Sequence, residues 1–490
     1  MKLKIKNFNW HANKLVIFLN EKTATKMNVF VGDRVAISTG KKIYAIVDIF
    51  SKMVKPNQIG ISHELGRILK LKTGAKAEVS SSELSDASFL IKKKLNEETL
   101  SQEELKFLIS EIVQNNLTEA EIAFFTAAQK LNGMKFQETI NLTKAMIKTG
   151  ASLKFKGKYI ANKHCIGGIA GNRTTPIVIA ICASLGIKIP KTSSRAITSA
   201  SGTADVIETI ANVNLSLKKI TKMVEKHNAC LAWGGTLGLA PADDKIIQVE
   251  RLLNLDVESQ LLASIMSKKI ASGTSHLLID IPYGRGSKMQ KLTHAKKLGR
   301  KFYRIAKEFK IKMKVVYTQG EQPIGNGFGP ILEIQDVLAV LKNDGPQDLK
   351  EKSIYLSTEL LKLCNVKNAK QKTTESLTSG KAYEKFEEII NAQNESSDFD
   401  KRIKNLKLAK FKKTIPVKKT GEIIYISNKD INSLCRVLGT PETISAGAYL
   451  HKHLGKVKKG EPLLTLYTES KTKMKDALDF LEEFKPIEIK

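Results

Sequence analysis

A chain of 490 residues is too long for a single hydrophobic core, and its length implies about three domains. Apolar residues make up 42% of it, ample for globular folding, yet no apolar run approaches the roughly 18 residues that a membrane helix needs. The formal net charge of +31 raises nucleic acid as a partner. However, the basic residues are spread along the whole chain, without an RNA-binding motif or interleaved aromatics, so no nucleic-acid partner is expected.

The start, M-K-L-K-I-K-N-F-N-W-H, alternates charged and apolar residues like a strand and lacks the apolar centre of a signal peptide. A cytoplasmic location is therefore expected. Lys14–Leu19, Asp33–Ser38 and Lys42–Phe50 are β-branched and apolar with turn residues between them, so residues 1–85 read as a β-rich domain. From Ser85 to Gly150 the pattern turns helical. Ser101-x-x-Glu104 and Thr118-x-x-Glu121 predict capping boxes, and Leu105, Leu108, Ile109 and Ile112 share one helical face. Residues 86–158, with about 245–270, read as a helical lobe. From Tyr159 strands and helices alternate: Pro176–Gly186 predicts a buried helix and His276–Ile281 a buried strand. A central α/β domain over 159–244 and 271–390 follows, then a linker over 391–413 and a β-rich C-terminal α+β domain over 414–490.

Four small-residue and charged clusters punctuate the middle of the chain. They are N-K-H-C-I-G-G (Asn162–Gly168), K-T-S-S-R-A-I-T-S-A-S-G-T-A-D-V-I-E (Lys191–Glu208), A-P-A-D-D (Ala240–Asp244) and L-A-S-I-M-S-K-K (Leu262–Lys269). Each alone fits a turn between a strand and a helix. Packed hydroxyls and backbone N–H groups are also what wraps a phosphate or a phosphorylated sugar. Arginine is scarce, ten against seventy lysines, yet Arg173, Arg195, Arg251 and Arg285 all fall in this region, where a planar fork can grip an oxyanion. Five scattered cysteines without a C-x-x-C argue against zinc and against a disulfide framework.

In this order the clusters resemble the thymidine phosphorylase family of nucleoside phosphorylases, and within it the archaeal-type AMP phosphorylase branch. The resemblance covers nearly the full length and is most specific from 162 to 290. It implies a multidomain α/β enzyme of the nucleoside phosphorylase class II type, with a helical lobe, a large α/β lobe and the active site in a cleft between them. It also implies phosphate and AMP as substrates, CMP and UMP as further ones, no metal or redox cofactor, and a homo-oligomer of two or more chains. The alternative within the family is a thymidine or pyrimidine-nucleoside phosphorylase.

By the same resemblance Lys163 and the position of Cys165 lie near the attacking phosphate, and Gly168 lets backbone approach the ligand. Cysteine departs from the family serine here, since a thiol donates more weakly. Neighbouring positive charge is expected to lower its pKa and make it reactive. Ser194, Arg195, Ala196, Ile197, Thr198, Ser199 and Thr203 match the phosphate- and nucleotide-binding loop. Ser264 and Lys268, one helical turn apart, with Arg251, match the residues that hold the base. Asp256 matches the acid that protonates the departing base, or it is a helix N-cap. On a continuous helix it would stand about 80° round from Ser264. Lys288 stands where the thymidine enzymes carry a phenylalanine, and a cation there suits a 5′-phosphate, with Arg285 nearby.

Overall fold

The computed structural model describes residues 1–490 apart from 9, 13, 40, 41, 82–85, 198 and 254. It divides into two compact units, Met1–Thr149 with Pro241–Ser264, and Gly150–Ala240 with Ile265–Lys490.

The first unit opens with a closed six-stranded barrel. Its strands are β1 (Lys2–Asn7), β2 (Val16–Asn20), β3 (Arg34–Ser38), β4 (Lys42–Phe50), β5 (Gln58–Ile61) and β6 (Lys76–Ser81), in the spatial order β1-β5-β2-β4-β3-β6. Alternation drives it: Leu3, Ile5, Ile17, Leu19, Val35 and Ile37 point inward and are all at least 99% buried. A helical bundle follows, with Asp86–Leu95, Gln102–Val113, Glu119–Asn132 and Phe136–Lys148. Ser101 and Glu104 close the predicted capping box, as do Thr118 and Glu121. Leu105, Leu108, Ile109 and Ile112 form the buried face that their spacing predicts. Lys14 pairs with Glu119, and Arg34 with Glu121, which ties the barrel to the bundle. Helix Pro241–Leu253 returns to pack on this bundle.

The second unit holds a parallel sheet. Its strands are β7 (Ala161–Cys165), β8 (Ile189–Ser193), β9 (Ala229–Trp233), β10 (His276–Tyr283) and β11 (Lys312–Gln319). They run as β11-β10-β7 and β8-β9, and an Ile160–Lys188 bridge sets β8 beside β7. Helix Thr174–Ser184 is apolar all round and buried from Thr174 to Ala183, as a helix inside a large α/β core must be. Parallel strands place their connecting loops at one end of the sheet, and the C-terminal ends of β7, β8 and β10 deliver the candidate loops.

Part of the stretch read as a linker is helical. Helix Lys381–Asn394 runs into it and helix Phe399–Lys404 follows, because Phe399 is buried against Tyr383 and Phe386. Beyond it, helices Asn428–Leu438 and Lys471–Phe484 pack with short antiparallel strands, one of which, Gly447–Leu450, pairs with Gly327–Phe328 of the α/β part. Among the described residues no helix is long and apolar enough to cross a membrane.

Candidate functional site

The end of β7 is lined with buried cations. Lys163, Lys191 and Lys269 are each at least 95% buried. Lys163 donates to Thr174 Oγ1 at 2.8 Å and Thr175 Oγ1 at 3.4 Å, and Lys191 donates to the Lys163 carbonyl at 2.9 Å. These partners are neutral, and burial is the largest influence on Lys191 and Lys269, reinforced by the charges of neighbouring lysines. It holds Lys191 well below the usual lysine range and brings Lys269 down to about 8. Asp280, fully buried, is already answered by Lys352 at 3.3 Å and by Thr318 Oγ1 at 2.7 Å. Burial works to raise this carboxyl, and Lys352 and Lys163 outweigh it, so its pKa ends below the usual range. His164 sits among Lys269, Lys191, Lys163 and Lys268. Burial and those charges hold its imidazole well below the ordinary range, so it is neutral at pH 7.

Cys165 departs from expectation. It is half-buried, whereas the other four cysteines are buried, and its sulfur accepts from Asn172 Nδ2 at 3.5 Å. Burial, then Asp280, pushes its pKa up, and these outweigh the pull of Lys163 and Lys352. The group at this position is therefore a neutral thiol rather than an activated thiolate.

The loop after β8 is built on two hubs. Asp205 accepts from the backbone N–H of Ala196 at 2.7 Å and of Gly202 at 2.8 Å, and it caps helix Thr203–Glu208. Arg173 donates to Thr203 Oγ1 and to the Ser201 carbonyl, both at 2.9 Å, and pairs with buried Glu333. Arg195 does not reach into the loop as a free fork. Its guanidinium pairs with Glu208 and Asp205 and stacks over Trp233. Ser194 is exposed, Ser199 Oγ donates to the Ser201 carbonyl at 2.8 Å, and Thr198 lies outside the described residues. From the C-terminal part, Asn432 Oδ1 accepts the Ala200 N–H at 2.9 Å and Arg436 donates to the Ile197 carbonyl.

Gly168 and Lys288 are brought together. Gly168 has φ +90°, and a Cβ there would stand 2.7 Å from the Lys288 backbone nitrogen. What the glycine admits is thus the Lys288 backbone. Lys288 is half-buried, while Arg285 is committed to Glu488 and to the face of Tyr425.

In the first unit, Ser264 is half-buried on helix Glu258–Ala271 and donates to Asp243 Oδ2 at 2.7 Å. Asp256 lies two residues ahead of that helix, so the angular relation expected of a continuous helix does not hold. Its side chain is exposed, and its carbonyl accepts from Lys130 at 2.9 Å. The side chain of Arg251 lies outside the described residues.

Sequence reasoning did not single out Lys191 and Lys269 as buried, although both stand in motifs, because a lysine in a lysine-rich chain reads as surface. It named Arg173 and the cluster holding Asp243 but not their partners, and it missed Asn432, whose partner Ala200 lies far away in the chain.

Comparison with known proteins fits this geometry. The helical bundle domain of the glycosyl transferase family matches residues 89–150, and its a/b domain matches residues 158–383. The AMP phosphorylase of Thermofilum pendens is 38% identical over 99% of this chain and 95% of its own length. That of Pyrococcus furiosus is 39% identical over 100% and 98%. A putative thymidine phosphorylase of Legionella pneumophila is 38% identical over 94% and 87%. Among solved structures, anthranilate phosphoribosyltransferase from Thermus thermophilus shares the fold, with a TM-score of 0.52 at 15% identity over 63% of this chain and 99% of that one.

Proposed function

The chain belongs to the glycosyl transferase family that holds the AMP and thymidine phosphorylases, and we propose that the reaction it carries out is the phosphorolysis of AMP to adenine and ribose 1,5-bisphosphate. A phosphate oxygen bonds to the anomeric carbon as the glycosidic C–N bond breaks, and the bonding pair leaves with the base. Asp256 gives that base its proton, at N7 of a purine, which makes it a better leaving group. CMP and UMP are further candidate substrates.

The observation that carries this reading is the cluster of Lys163, Lys191 and Lys269. Holding Lys269 at about 8 instead of 10.5 costs on the order of 3 kcal/mol at neutral pH. A dianion entering the cluster offsets that cost, which is the reason for a phosphate site to keep it. The lysines bring the positive charge themselves, so the proposed reaction runs without a metal or redox cofactor. The loop Ser194–Thr203 holds the nucleotide with backbone N–H groups and hydroxyls, and Arg195 acts there by bracing the loop. Lys288, seated on Gly168, meets the 5′-phosphate. Ser264, Lys268 and Arg251 face the base. We place the enzyme in the cytoplasm as a homo-oligomer.

Lys288 favours AMP over the thymidine reading. The test is release of free base from a panel of nucleosides and nucleoside monophosphates with phosphate present, for the native chain and Lys288→Phe. AMP should be cleaved far faster than adenosine or thymidine, and Lys288→Phe should lose AMP turnover selectively. Equal losses on charged and neutral substrates would remove Lys288 from the phosphate, and preferential cleavage of thymidine would establish the other reading.

A further inference from the structure

A carboxylate stands among the cations at the end of β7. Side chains alternate along a strand, so Lys163 and Cys165 share one face of the sheet, and the parallel register sets Asp280 of β10 beside Cys165 on that face. Helix Gln347–Leu363 packs on β10 and β11 and brings Lys352, only 9% exposed, to the same acid. Lys352 Nζ lies 3.3 Å from Asp280 Oδ2 and has no hydrogen-bond partner among the described residues, so the contact is one of charge. Thr318 Oγ1 donates to Asp280 Oδ1 at 2.7 Å. Lys163 bonds instead to the hydroxyls of Thr174 and Thr175.

Burial works to raise the pKa of Asp280, and Lys352 first and Lys163 second work to lower it. Two lysines thus compete for one buried acid. A Lys163 paired with Asp280 would keep a negative charge where a phosphate must enter. A hydroxyl gives way to a phosphate oxygen, and can turn to donate to it, whereas a carboxylate can only repel it. We propose that Lys352 is a positioning residue of the phosphate site: by neutralising Asp280 it leaves Lys163 to the incoming phosphate. It acts through Asp280 and touches no substrate. The inference rests on the placement of phosphate at Lys163 given above.

The test is the affinity of the full chain for inorganic phosphate alone, by calorimetry, beside the KM for phosphate and for AMP. In Lys352→Met the acid is left buried and unpaired, and Lys163 turns to it. The Kd for phosphate should rise roughly tenfold or more, while the KM for AMP stays within a few-fold of the native value. Lys352→Gln, also without charge, should show the same phosphate-selective loss, and it serves if Lys352→Met does not fold. Adding Asp280→Asn to either variant removes the competing charge, so phosphate affinity should recover to within a few-fold of native. A merely structural role would lower the melting temperature and move both substrates alike, without recovery in the double variant.

Unchanged phosphate affinity in a folded single variant, or a loss that Asp280→Asn does not restore, overturns the proposal. Lys163→Met tells that failure from a failure of the phosphate site itself, since it should abolish phosphate binding. If it does so and the Lys352 variants bind phosphate as the native chain does, the inference fails and the phosphate site stands. If Lys163→Met leaves phosphate binding intact, both fail.

Discussion

At the scale of single residues, the buried lysines give the sharpest test. Lys269 has a folded-state pKa of about 8, below its unfolded 10.5. The folded chain therefore binds fewer protons between those values, and stability rises with pH across that window. An anion favours the charged lysine, so affinity for the phosphate dianion should fall as pH rises through about 8. Lys269→Met should raise the melting temperature of the ligand-free protein at pH 7 and abolish the phosphate-induced shift. Thermal melts with and without phosphate check this, and an unchanged phosphate shift would place Lys269 outside the anion site. Cys165 carries the opposite lesson. Its sequence neighbour Lys163 pulls the pKa down, but burial and Asp280, 115 positions on in the chain, outweigh it. Proximity in sequence gave the wrong sign for its pKa shift.

The element that braces the loop after β8 is helix Asn428–Leu438, far from every motif in the chain. Asn432 accepts the buried Ala200 N–H, and Asn428 accepts the Ala170 N–H at 3.0 Å while donating to the Gly320 carbonyl at 3.1 Å. One helix thus fixes three turns of the α/β part. Asn432→Ala leaves the Ala200 N–H buried without its acceptor, at a cost of about 1–3 kcal/mol. The expected result is a raised KM for nucleotide with a smaller change in kcat. Steady-state kinetics would count against the bracing role if KM stayed fixed. Local signals made the regular elements legible: the capping boxes at Ser101 and Thr118, the stripe from Leu105 to Ile112, and the apolar helix Thr174–Ser184. Within the stretch read as a linker, 391–404 is polar except for Ala392, Phe399 and Ile403, and Phe399, buried against Tyr383 and Phe386, opens a short helix there.

For the whole molecule, the motifs of the sequence divide between two compact units. Asp256 and Ser264 belong to the one that starts at Met1, and the lysine cluster, the loop after β8 and Lys288 to the other. The order of the motifs made the family legible. The partners that hold them, Asp205 for Ala196, Glu333 for Arg173 and Asp243 for Ser264, were not legible, because pairing across the fold leaves no mark in a single sequence. If Asp256 is the acid, Asp256→Asn should slow release of adenine by about 10²-fold or more, with AMP binding largely kept. Loss of binding together with a fall in melting temperature would mark it as a structural residue instead.

The most direct test of the account is the identity of the sugar product. AMP and phosphate, incubated with the native protein and followed by phosphorus NMR, should yield a sugar with two phosphomonoesters, on C1 and C5, in step with free adenine. Adenine released with ribose 5-phosphate alone would mean that water is the nucleophile. That result would contradict the phosphate site assigned to Lys163, Lys191 and Lys269.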